Sequence, residues 1–182
     1  MTEYSLLQLL SQVRTPFLDF VFTSVTWIGS LFVLGPLSVV IFWLARRAGG
    51  SLLQALHLPF AVTATALVVA VLKPLFSRPR PDFYESVLAL PLDAAMPSGH
   101  AAQVMTFALA VVFLVSRQQR FLIGLCLLPI VLLVGLSRLY LQVHWPSDVV
   151  AGYLLGGLVA YASAHLLCAG KSVDILNSDV RK

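Results

Sequence analysis

Charge is what this chain has least of. Only 11% of its 182 residues are Asp, Glu, Lys or Arg, while 59% are hydrophobic; a soluble domain carries about a quarter charged residues. That balance excludes a water-soluble globule. Cysteine is sparse as well: Cys126 and Cys168 lie in separate apolar runs, with no ligand residue at short spacing. Structural zinc needs clustered ligands, so both cysteines read as small hydrophobic side chains. No long polar stretch exists to build a second domain, and neither an alternating strand pattern nor a repeat at a solenoid period occurs.

What the chain does have is a series of charge-free runs at 20–45, 48–72, 94–116, 121–137 and 149–170, of 26, 25, 23, 17 and 22 residues. About 20 residues cross a hydrocarbon core, and the fourth run gains length by continuing into Leu139–Leu141. The expected architecture is all-α: a polytopic transmembrane helix bundle forming one domain over 1–182, with an interfacial segment at 1–25, the bundle at 26–169 and a cytoplasmic tail at 170–182. The N-terminal region admits two readings. Leu6, Leu7, Leu9, Leu10 and Val13 form an amphipathic stripe, Arg14 and Asp19 interrupt it, and Pro16 breaks it. It is either an interfacial helix leading into a first span at about 26–45, or a sixth crossing. With Glu3 in place of a basic start and no small-residue cleavage site, a cleavable signal peptide is not expected.

The formal net charge is +4, but the cations are dispersed along the chain, which argues against nucleic-acid binding. They fall into two groups. Arg46, Arg47, Arg117, Arg120, Lys171, Arg181 and Lys182 flank one set of span ends and mark the cytoplasmic side. Lys73, Arg78, Arg80 and Arg138 fall at the opposite ends with His100, His144 and Asp148, so that end is expected to face the periplasm or exterior of a cell (inner or plasma) membrane. The connections Arg46–Ser51 and Ser116–Arg120 are short and imply adjacent antiparallel spans. Pro129 is expected to kink the fourth span, and Gly152-x-x-x-Gly156 permits close helix packing.

The outward group carries the chemistry. Ser98 can cap a helix whose first amides, from Gly99 onward, form an anion site, with His100 at its rim; the plainer alternative is an ordinary cap and an interfacial histidine. Pro146 suits a first helical turn, which would set His144 and Asp148 on one face at i, i+4. Asp148 could then orient His144 as the acid does in a triad; the alternative is a structural pair. Lys73, Arg80 and Arg138 match phosphate oxygens, although any one of them alone could simply snorkel. Arg78 reads as a snorkelling residue or a source of long-range field. Together these cations cost a few kcal/mol each if buried, and Asp148 alone cannot neutralise them; a bound phosphate would. The two histidines supply a nucleophile and a proton donor for a departing oxygen.

Lys73-x6-Arg80-Pro81, Pro97-Ser98-Gly99-His100 and Ser137-Arg138-x5-His144-x3-Asp148 resemble the three-part signature of the type-2 phosphatidic acid phosphatase superfamily, without departures. The resemblance implies that His144 attacks phosphorus to form a phosphohistidine, that Asp148 orients it and that His100 protonates the leaving oxygen. Lys73, Arg80, Ser98, Gly99 and Arg138 would hold the phosphoryl oxygens, with neither metal nor cofactor. The expected partners are the bilayer and a lipid phosphate or diphosphate: undecaprenyl diphosphate, phosphatidylglycerophosphate, phosphatidate or a lipid A phosphate. A lipid phosphotransferase, and a non-catalytic protein that binds or translocates lipid phosphates, are the competing readings. His57 and His165 have no assigned role.

Overall fold

The computed structural model describes residues 2–82 and 92–168, and among them every regular element is a helix. They are α1 (Glu3–Gln12), α2 (Pro16–Thr26) followed by a 3-10 turn (Trp27–Gly29), α3 (Leu31–Arg47), α4 (Leu52–Phe76), α5 (Gly99–Leu114), α6 (Arg117–Tyr140) and α7 (Pro146–Cys168). The expected tail at 170–182, with Lys171, Arg181 and Lys182, lies outside the described residues, as does Pro91 of the long loop.

Local chemistry sets the boundaries. Thr15 caps α2 with Pro16 at its first position, so the chain breaks between α1 and α2. Ser51 and Gln54 form a reciprocal capping box at the start of α4, just after Gly49 turns with φ +82°. Ser77, at φ 45°, ends α4 by donating its amide to Lys73 O at 3.0 Å. Pro129 stands inside α6 without interrupting it.

Helices α4, α6 and α7 are long and apolar enough to cross a membrane; α2 with its 3-10 turn and α3 qualify only as a pair, bent by 45°. Counted as one span, this pair would begin before 26; α1 and α2, separated at Thr15, divide the expected interfacial segment between them. The expectation of five spans, one for each charge-free run, with the N-terminal segment interfacial or a sixth, is not reached by length alone because of α5. Its 16 residues extend about 24 Å, short of the roughly 30 Å core, since Pro97 keeps the expected third span from starting before Gly99.

The short helix α5 is the centre of the bundle. Ala101, Ala102, Val104, Thr106, Phe107, Ala108 and Ala110 are buried against α7, α6 and α4. The expected adjacency holds for α3 with α4 and α5 with α6, whereas α6 meets α7 chiefly through Tyr153, whose hydroxyl donates to Val131 O at 2.7 Å. Glycine makes the α5–α7 contact possible. A Cβ at Gly152 would lie 2.6 Å from Ser98 O, and one at Gly156 only 2.3 Å from Ala102 O. Lipid tails give no hydrophobic drive for helices to associate, so packing and buried polar pairs hold them. Thr65 and Thr106 share a 2.8 Å hydrogen bond, and His57 Nε2 meets Ser163 Oγ at 3.0 Å, each worth about 0.6 kcal/mol. Phe32, Phe121 and Leu154 project outward, as a lipid-facing surface requires. The chain is a multi-pass membrane protein.

Candidate active site

The signature residues sit on four different elements, and the bundle brings them to one end. Lys73 is in the last turn of α4, His100 in the first turn of α5, and Arg138 in the last turn of α6. After α6, Gln142 takes φ 57° and Val143 N–H returns to Arg138 O. His144 thereby points back into the bundle before Pro146 opens α7. The Ser98 amide donates to Asp148 O at 2.9 Å, tying the start of α5 to that of α7.

Lys73, Arg80, Gly99, His100, Arg138 and His144 line one cavity of about 410 Å³. Ser98 and Asp148 lie behind it, both fully buried. The cavity also has an apolar wall from α3 and α4, formed by Leu31, Phe32, Ala66, Val69 and Ala70.

His144 is held from both sides. Its Nδ1 lies 3.6 Å from Asp148 Oδ2, an ion-pair distance slightly beyond hydrogen-bond reach, and its Nε2 lies 3.4 Å from Arg80 Nη1. Such contacts commonly tighten only when substrate is bound. Burial pushes the His144 pKa down to about 4; Asp148 opposes this, while Arg138 and Arg80 add to it. The ring is therefore neutral at ordinary pH. With the proton on Nδ1, toward the carboxylate, the Nε2 lone pair faces the cavity, where Arg80 Nη1 approaches it as a long donor.

Asp148 is more elaborately held than its spacing suggests. Its Oδ2 accepts the Trp145 amide at 2.8 Å, and its Oδ1 accepts Arg78 Nη1 at 2.6 Å. Arg78 also donates to Ser147 Oγ at 2.5 Å, and through Nη2 to Glu3 Oε2 at 2.8 Å. Glu3 Oε1 accepts the Ser147 amide at 2.7 Å. Snorkelling or long-range field therefore misdescribes Arg78, which is the buried carboxylate's direct counter-ion. The N-terminal helix completes this group: α1 docks through buried Leu7, whose carbonyl accepts Gln142 Nε2 at 3.0 Å.

A second carboxylate, Asp93, is absent from the sequence-derived site. It bridges the cations, accepting Lys73 Nζ through Oδ2 and Arg80 Nη2 through Oδ1, the latter at 2.5 Å. Burial works to raise its pKa, but hydrogen bonds and charge from Lys73 and Arg80 outweigh this and hold it below the usual carboxylate range. Asp93 thus takes a position between two cations that suits a phosphoryl oxygen. Its closeness to the Pro97–His100 motif was the available signal; for Glu3, most of the chain away, there was none. Also missed is the wall formed by Thr26, Gly29 and Ser30: Arg138 Nη1 donates to Thr26 Oγ1 at 2.7 Å, and Gly29 and Ser30 line the cavity.

These features define a polytopic helical membrane protein whose helix ends gather a cation-rich cavity lined by two histidines. The family model described as the PAP2 superfamily matches residues 54–169, and the chain belongs to that superfamily. Phosphatidylglycerophosphatase B of Bacillus subtilis is 30% identical over 158 residues, 82% of this chain and 75% of that protein. An undecaprenyl-diphosphatase of Sulfolobus acidocaldarius is 39% identical over 80 residues; the match covers 44% of this chain but only 37% of the Sulfolobus protein, little over a third of its length. The crystal structure of a transmembrane PAP2-type phosphatidylglycerolphosphate phosphatase from Bacillus subtilis superposes with a TM-score of 0.84 at 27% identity, covering 93% of this chain and 86% of that one.

Proposed function

We propose that this chain is a lipid phosphatase that removes a phosphate from a lipid phosphate or diphosphate through a phosphohistidine, without a metal. The observation that carries the reading is the convergence of His100, His144, Lys73, Arg80 and Arg138 on one cavity that also has an apolar wall. The named relatives act on such lipids, which supports the substrate class.

In the proposed reaction, His144 Nε2 attacks phosphorus and a P–N bond forms as the bond from phosphorus to the lipid oxygen breaks. The departing oxygen keeps the electron pair and takes a proton from His100. Water, giving a proton back to His100, then attacks phosphorus, the P–N bond breaks, and inorganic phosphate leaves. Lys73, Arg80, Arg138 and the Gly99 amide stabilise the equatorial oxygens, where charge stabilisation contributes most. Asp148 keeps the His144 tautomer and balances its charge. The apolar wall would keep the lipid tail in the bilayer while its headgroup enters from the side. The metal-free reading is supported by Lys73, Arg80 and Arg138 lining the cavity, which supply the positive charge that a metal ion would otherwise bring to the phosphoryl oxygens. The distribution of cations supports a site on the periplasmic or exterior face of the cell membrane.

The test is phosphate release by the purified protein from a panel of lipid phosphates. Activity should survive EDTA, fall with vanadate, and vanish in His144→Ala; full activity in that variant would exclude the nucleophile. Transfer to another lipid's hydroxyl is the second reading, and the fate of labelled phosphate separates the two. A protein that only binds or translocates lipid phosphates would need the cations but not two histidines and an aspartate at this spacing, and would show binding without turnover.

A further inference from the structure

The cavity is larger than one phosphate requires. Its volume of about 410 Å³ would hold roughly a dozen waters at their share of ~30 Å³ each, whereas a phosphate group has only five heavy atoms. Part of the remaining lining has unspent donors. Ser30 caps α3 in position but makes no side-chain cap bond. It is 6% exposed, its Oγ has no partner, and it lines the cavity. The amides of Leu31 and Phe32, the first of a 17-residue helix, have no intrahelical carbonyl to meet. Arg138 lines the same space and is 5% exposed. Its Nη1 is spent on Thr26, its Nε has no partner, and no carboxylate among the described residues lies within ion-pair distance.

These donors adjoin the group assigned to the leaving oxygen. A Cβ at Gly29, the residue before Ser30, would come 3.3 Å from His100 Cβ and 3.1 Å from His100 O, so the turn into α3 packs directly on His100. Whatever the leaving oxygen is attached to meets this wall. Buried donors left unpaired cost about 1–3 kcal/mol each, and a helix N-terminus beside a guanidinium favours an anion.

We propose that Ser30, the opening amides of α3 and Arg138 Nε form a second oxyanion subsite that takes the inner phosphate of a lipid diphosphate. Lys73, Arg80 and the Nη2 end of Arg138 hold the outer phosphate, which is transferred, so that Arg138 bridges the two phosphates. This rests on the phosphatase reading above. On cleavage the bridging oxygen stays with the inner phosphate, takes the bond's electron pair and a proton from His100, and leaves as the lipid monophosphate. The second subsite stabilises the charge that builds there. A lipid monophosphate presents no inner phosphate and cannot use it.

The experiment compares a polyprenyl diphosphate with the monophosphate of the same tail, using the full chain in detergent and reading kcat/KM for phosphate release. In Ser30→Ala the diphosphate-to-monophosphate ratio should fall about tenfold, the loss of one hydrogen bond to a charged group; α3 loses no cap bond in this variant. A ratio within twofold of wild type overturns the subsite. If Ser30→Ala does not fold, wild-type inhibition decides: inorganic diphosphate should inhibit at least about fivefold more tightly than inorganic phosphate, and equal constants overturn the proposal. Cleavage of inorganic diphosphate as efficient as that of the lipid overturns the lipid-linked assignment. Wild-type protein that releases no phosphate from either lipid sinks the phosphatase reading and this one together, whereas release from both lipids with a ratio insensitive to Ser30 sinks this one alone.

Discussion

Arg78 offers the sharpest test of how the proposed catalytic pair, His144 and Asp148, is held. Replacing it with alanine removes the 2.6 Å bond to Asp148 Oδ1 and leaves a fully buried carboxylate with the Trp145 amide on its other oxygen. Breaking a buried ion pair from one side costs about 3–5 kcal/mol. Arg78 is 27% exposed, so water can partly substitute and about 2–3 kcal/mol is the better figure. If that loss falls on the transition state through a poorly oriented His144, kcat/KM drops about 30- to 150-fold. Glu3→Gln is the control. Glu3 is 36% exposed, and an interaction that open to solvent is worth about 0–1 kcal/mol, at most roughly a fivefold effect. Burial and hydrogen bonds from Ser147 and Arg78 act on Glu3 in opposite directions, and the hydrogen bonds hold its carboxyl below the usual range, so it is charged at neutral pH and the variant removes a real counter-charge. The assay is phosphate release for Arg78→Ala, Glu3→Gln, Asp148→Ala and the double variant of Arg78 and Asp148. The arginine effect should largely disappear once Asp148 is gone. Arg78→Ala within threefold of wild type, or Glu3→Gln as damaging as Arg78→Ala, would refute the reasoning.

Three further outcomes follow from the same geometry. Asp93→Ala removes the carboxylate that bridges Lys73 and Arg80, so inhibition by vanadate and inorganic phosphate should tighten several-fold; unchanged or weaker inhibition would count against Asp93 occupying an oxyanion position. His144 titrates near 4 in the folded protein against about 6.5 in an unfolded chain. Its pKa is depressed, so its share of stability is complete above about 6.5 and is lost as pH falls toward 4, amounting to roughly 3 kcal/mol. Likewise the acid limb of kcat/KM should fall near 4, where His144 becomes protonated, and an acid limb near 6.5 would contradict the burial argument. Gly156→Ala, whose Cβ would press to 2.3 Å on the Ala102 carbonyl, should destabilise the folded protein by about 1–3 kcal/mol, seen as a lower denaturation midpoint in detergent; an unchanged midpoint would mean that α5 and α7 separate easily.

The sequence by itself determined the membrane class and the helical architecture, and it named most of the cations and both histidines that the structure gathers at one cavity. Hydropathy and the three motif segments are local properties, and lipid allows only helices or closed barrels to span it, of which continuous apolar runs of this length select helices. Lys73, Arg80, Gly99, His100, Arg138 and His144 were legible for that reason, each recognisable by residue type at a helix end. Tertiary structure alone decided that Arg78 pairs with Asp148, that Asp93 lies between two cations, that Glu3 reaches across the chain to the same cluster and that the turn before α3 walls the cavity. It also decided that the central helix is too short to span the core unaided. These are relations between segments far apart in sequence, set by how closely glycine lets α7 approach α5 and by which buried donors find acceptors, and no periodicity along the chain encodes them.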